Sequence, residues 1–115
     1  MHTLWFTLRF VDSIQNEEIM NNLFKSEFLM ATEKMSSNKV FSFGRDHGYH
    51  GRLLSHGIVA EQSLHVKDNT LTGYCFTPQD GNALLSSVAG TIQYYYKDNW
   101  KEKMKLFNRY IFKNI

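Results

Sequence analysis

The chain has one cysteine, one proline and no long apolar run, and each scarcity excludes something. Cys75 stands alone, so no intrachain disulfide can form. Secreted chains of this length usually carry several, which points to a reducing, cytoplasmic setting. The first nine residues, Met1 to Arg9, alternate polar with apolar and place Arg9 where an export signal needs an unbroken apolar stretch. The longest uncharged segment, Gly81 to Tyr96, is too short and too rich in Ser, Asn and Gly to cross a bilayer. No glycine-rich phosphate loop, no G-x-S-x-G elbow and no paired-cysteine knuckle is present, so no cofactor is expected. Ala and Pro are scarce beside Asn and Lys, a bias that AT-rich genes impose and that fits bacterial mobile-element or phage accessory DNA.

What is there is ordinary for a globular protein: 43% apolar and 21% charged residues over 115 positions, expected to fold as a single domain over 1–115. Aromatics reach 15%. That is more than a small core needs, so some are expected on a surface that meets something else. The net charge of +2 is unevenly spread. Residues 1–36 hold three basic and five acidic groups, 37–96 hold four of each, and 97–115 hold six basic against two acidic.

Alternation over residues 3–11 predicts a half-buried strand with Leu4, Phe6, Leu8 and Phe10 inward and Trp5 and Arg9 outward. Met20, Leu23, Phe24, Phe28, Ala31 and Met35 recur at helical spacing behind Asn16, Glu17 and Glu18, predicting a helix over 17–35. A short strand is expected over 39–44, with a glycine-rich loop from Gly44 to Gly57. Residues 58–66 and 70–77 then read as a hairpin turning at Asp68-Asn69. That turn pairs Val66 with Leu71, Leu64 with Gly73 and Gln62 with Cys75 on the inner face, and His65 with Thr72, Ser63 with Tyr74 and Glu61 with Phe76 on the outer. A helix over 81–96 and a C-terminal helix with the stripe Trp100, Met104, Phe107 and Ile111 complete the order, although 110–112 also reads as strand. The expected fold is α+β: an antiparallel sheet of about four strands with two helices on one face.

Three surfaces carry the functional possibilities. On the outer sheet face, Trp5, Arg9, His65, Tyr74 and Phe76 form an aromatic patch suited to self-association. In the loop, Arg45, Asp46, His47, His50, Arg52 and His56 gather ligand and acid-base types, as a metal site or a histidine-dependent hydrolase would. In the tail, Lys97, Lys101, Lys105 and Arg109 recur every fourth residue, a spacing that lets a helix meet phosphate. Cys75, mid-strand and facing inward, reads as a buried thiol.

The order of helix, three strands and helix over 17–96 resembles that of a double-stranded-RNA-binding domain. The matching helix start, Gly81-Asn82-Ala83-Leu84-Leu85, has no lysine to grip phosphate, so the likeness is one of order. The reading the residues support is a small, non-catalytic, cytoplasmic interaction protein acting as a homodimer, with a protein partner as the alternative occupant of that surface. The alternatives are nucleic-acid binding through the tail and outer aromatics, or hydrolysis at the histidine loop.

Overall fold

The computed structural model describes residues 1–115. Its centre is β5 (Thr70–Thr77), which is paired on both sides. One neighbour is β1 (His2–Arg9), antiparallel from His2↔Thr77 to Arg9↔Thr70 without a break. Along the other side run β3 (Gly57–Ala60) and β4 (His65–Lys67), two pieces of one interrupted strand. Beyond β3, β2 (Leu29–Thr32) pairs in parallel. The α+β class and a mostly antiparallel sheet are therefore as expected, with five strands where about four were predicted. No helix is long and apolar enough to cross a membrane.

The hairpin turn at Asp68-Asn69 is present, with Asp68 in the left-handed region (φ 55°), and His65↔Thr72 and Val66↔Leu71 pair as predicted. Further along, the register differs. Phe76 faces Ile58 and Cys75 faces Val59, where the uninterrupted hairpin would have placed Glu61 and Gln62. A 3-10 turn at Glu61–Ser63 takes up the three intervening residues. This break leaves Tyr74 without a strand partner on that side, and the Ser63 hydroxyl accepts its N–H at 2.8 Å, so the backbone donor is still satisfied.

The predicted helix over 17–35 is two elements. Helix α1 (Asn16–Lys25) stops at Ser26, whose backbone turns extended (ψ 136°) while its hydroxyl accepts the N–H groups of Phe28 and Leu29. The chain then enters β2, a short apolar run whose periodicity cannot by itself distinguish helix from parallel strand. The predicted strand over 39–44 is helical: α2 (Ser37–His47) buries Val40 and Gly44 and leaves Phe41 exposed. The alternation of Phe41 and Phe43 is overruled by the i, i+4 pair Val40 and Gly44, which is the pair that turns inward.

These corrections move the layers. Leu23 of α1 packs on Ala31 and Val59, one face of the sheet; Val40 of α2 packs on Met30, Ile58 and Phe76, the other. Helix α3 (Gln79–Tyr96), predicted to cover the sheet, instead turns Leu85, Val88, Ala89 and Ile92 toward Met104, Trp100 and Phe107. The C-terminal helix is shorter than predicted: α4 (Trp100–Met104) gives way to a 3-10 stretch over Lys105–Tyr110. After it, Asn114 bridges Ala31 along the outer side of β2, with Ala31 N–H donating to Lys113 O and Ile115 N–H to Ala31 O. Because no helix lies over β1, its predicted core residues are half-exposed: Leu4 at 47% and Leu8 at 50%.

The two helical systems meet where α3 starts. A Cβ on Gly81 would stand 1.8 Å from the Leu53 carbonyl oxygen, whereas one on Gly90, in the same helix, would meet nothing within 4 Å. Gly81→Ala should therefore cost about 2–3 kcal/mol, and Gly90→Ala should stabilise by about 0.8 kcal/mol through helix propensity. Urea unfolding of the two variants, with opposite signs against wild type, checks this docking.

Candidate interaction surface at the sheet edge

The direction of β1's backbone groups can be worked out from one pair. Phe10 N–H donates to Asn69 O at 2.8 Å, and Asn69 Nδ2 donates to Phe10 O. In an antiparallel ladder the bonded residues alternate, and β1 has no bulge. Leu8, Phe6, Leu4 and His2 therefore also bond toward β5. Thr3, Trp5, Thr7 and Arg9 direct their N–H and C=O groups away from it, along a side where no strand lies. On the opposite margin, residues 113–115 run along β2, and β4, which pairs with β5 alone, is only three residues long. Natural edge strands are usually blunted by proline, lysine, a bulge or shortness; β1 runs eight residues with none of these.

Side chains reinforce the openness. Trp5 is 60% exposed and meets Tyr74 edge to face at 4.8 Å, the close approach expected of a directly opposed, non-hydrogen-bonded pair. His65 and Arg9 lie exposed on the same sheet. Phe76 does not belong to this patch, because it is buried at 4% under α2. On the reverse face, between α1 and β1, lies an open apolar trough of about 340 Å³ floored by Phe6, Leu8, Leu71 and Cys75 and walled by Ile19 and Leu23. Gly73 shapes this floor: a Cβ there would stand 2.9 Å from both the Phe6 ring and Leu64. Burial pushes the Cys75 thiol above its usual value, which disfavours the thiolate a nucleophile needs.

The histidine segment is not one loop. His47 ends α2, stacked on Phe43. His50 and Gly51 take positive φ (49° and 72°) and reverse the chain between bridged Tyr49 and Arg52. His56 stacks on Phe28 at 4.8 Å. With the His50 ring against Tyr49 at 4.4 Å, the three imidazoles have three separate neighbours, and no group of three or more His, Cys, Asp or Glu is placed to share an ion. Arg45 is paired with Asp46 at 2.8 Å, which holds that carboxyl below its usual range, and Arg52 reaches Asp80 at 3.4 Å. The hollow beside Arg52, lined also by Met1, Phe41 and Asp80, measures about 170 Å³, below the ~300 Å³ at which small-molecule sites begin.

One contact was not legible in the sequence. Ser86 Oγ lies 3.0 Å from His56 Nε2, the distance of a nucleophile and its base. Yet the Ser86 hydroxyl donates its one proton to Asn82 Oδ1 at 3.0 Å, so that proton is not directed at His56. Ser86 also sits inside α3, where neighbouring N–H groups are spent within the helix and none can hold an oxyanion. The contact therefore ties the 53–57 segment to α3. The signal available was the i, i+4 spacing of Asn82 and Ser86 on the helix's polar side.

In the tail, Lys97, Lys101, Lys105 and Arg109 are all exposed, while Met104 and Ile111 are buried. Lys105 is engaged by Glu102 at 2.6 Å. The exposed tyrosines beside this segment are Tyr94, Tyr95 and Tyr96, with the Lys103 ammonium over the Tyr96 ring at 5.2 Å.

Burial disfavours the imidazolium of His56 and holds its pKa below the usual 6.5. The unfolded chain then takes up that proton at higher pH than the folded one. This contribution to stability is complete above about pH 6.5 and declines as the pH falls below it. His56→Gln should flatten the fall in melting temperature between neutral and mildly acidic buffer; an unchanged slope would assign that fall to other groups.

No protein-family model matches the chain, and no curated protein matches its sequence.

Proposed function

We propose that this chain is a small, non-catalytic interaction protein that works as a homodimer joined along the β1 side of its sheet. The observation that carries the reading is the run of outward backbone groups at Thr3, Trp5, Thr7 and Arg9 on an eight-residue strand with no proline, lysine or bulge and a single charge at its end. The molecule's shape supports it. The chain measures 42 × 35 × 19 Å with a radius of gyration of 14.8 Å, against about 13 Å for a compact domain of this length. Its accessible surface of 7596 Å² exceeds the roughly 6,500 Å² of a typical monomer of its mass. The excess is of the order that one partner contributes to a standard interface, about 800 Å². A second copy answers the need most simply, because identical patches related by a two-fold axis satisfy each other.

Light scattering at tens of micromolar should find the dimer. Thr7→Pro removes an N–H that faces outward and leaves the ladder to β5 intact, a place where an edge strand tolerates proline; it should give a folded monomer with an unchanged circular dichroism spectrum. Trp5→Ser should weaken association by about 30-fold or more, as loss of an aromatic anchor does. A wild type that stays monomeric would end the reading.

A second reading has one observation in its favour: Tyr94 and Tyr95 stand exposed next to the basic stretch from Lys97 to Arg109, and aromatic platforms beside cations hold single-stranded nucleic acid. Anisotropy with a labelled single strand should then show binding at low salt, with log K falling by about 0.7 per phosphate contact for each tenfold rise in salt. No binding at low salt would remove it.

A further inference from the structure

We infer that the two copies join as one continuous sheet, β1 against β1 antiparallel, with Phe6 facing Phe6 across the two-fold axis. The inference rests on the dimer reading above and adds the register. On β1 only Thr3, Trp5, Thr7 and Arg9 have backbone groups free to bond outward, so a partner strand must place these four residues opposite one another. In a two-fold antiparallel pair, the numbers of facing residues add to a constant. The four-residue set maps onto itself for one constant, the one that centres on Phe6. Thr3 then faces Arg9 of the other copy and Trp5 faces Thr7, and all eight outward N–H and C=O groups find partners. Moving the centre to Trp5 or Thr7 sends Arg9 or Thr3 beyond the strand and strands its groups.

Side chains agree with this register. Leu4 faces Leu8 of the second copy and Phe6 faces Phe6, all on the trough face, as close non-hydrogen-bonded pairs whose side chains touch. The two leucines, half-exposed in the single chain, thereby cover each other. The strand's one full charge, Arg9, meets Thr3 and lies far from its own symmetry mate, so no like charges oppose across the seam.

Cysteine pairs read the register directly. Because Leu4 lies opposite Cys75 within the chain, the experiment uses a Cys75→Ser background. Leu4→Cys and Leu8→Cys proteins, equilibrated together and oxidised, should form a disulfide between unlike copies, seen as a covalent dimer by non-reducing mass spectrometry. Neither should link to itself, since like positions lie about 13 Å apart in this register and a disulfide needs Cα atoms within about 7 Å. Thr3→Cys with Arg9→Cys, the other outward pair this register brings face to face, is the second pair, for use where the leucine variants fail to fold. A dimer by light scattering that gives no mixed link, or in which Leu4→Cys links to itself, overturns the register and leaves the dimer reading standing. A monomer at every concentration overturns both.

Discussion

Every residue of a β-strand sends its N–H and C=O to one side, and the next residue sends them to the other; β5 obeys this over its whole length and the molecule is arranged around it. Leu71, Gly73, Cys75 and Thr77 serve β1, and Thr70, Thr72, Tyr74 and Phe76 serve the side of β3 and β4. Where the second side fails, at Tyr74, a serine hydroxyl replaces the missing carbonyl. Where the first side succeeds, it commits the even residues of β1 and leaves the odd ones turned outward. The open edge thus follows from how completely β5 is satisfied.

Parts of this were readable in the chain. The 68–69 turn could be found because Asp68 and Asn69 tolerate left-handed backbone and are flanked by alternating strands; its local register followed. The helix over 81–96 was legible too, and while Leu84 and Tyr96, equally apolar in the sequence, stay exposed, Leu85, Val88, Ala89 and Ile92 share its inward side. What they pack against could not be found that way. Periodicity reports that a face is buried and is silent about the neighbour, and here the neighbour was Met104 and Trp100, not the sheet.

The misread stretches share a cause. Leu29 to Thr32 is four residues long, and such a run fits helix or strand equally until a partner decides; parallel pairing with β3 decided it. Val40 and Gly44 carry a helical signal, but Phe41 and Phe43, larger and one residue off, drown it. The three residues looped out at 61–63 left no mark that a simple hairpin would lack. Among the site residues, Trp5 and Tyr74 were brought together as alternation required, whereas Phe76, on the same face, lies where α2 covers the sheet, among Met30, Val40 and Ile58. The histidines were close in number only, and a helix end, a reversal and an extended segment send them to separate neighbours.

A plate 19 Å thick has a rim and two broad faces, and strand addition consumes little more than the rim. Each face, less the strip of Leu4, Phe6 and Leu8 that the seam covers, would appear twice, with its tyrosines and lysines at the far end. Valency then changes while chemistry does not: a ligand long enough to reach both copies is held by two modest contacts whose combined strength is set by the span between them.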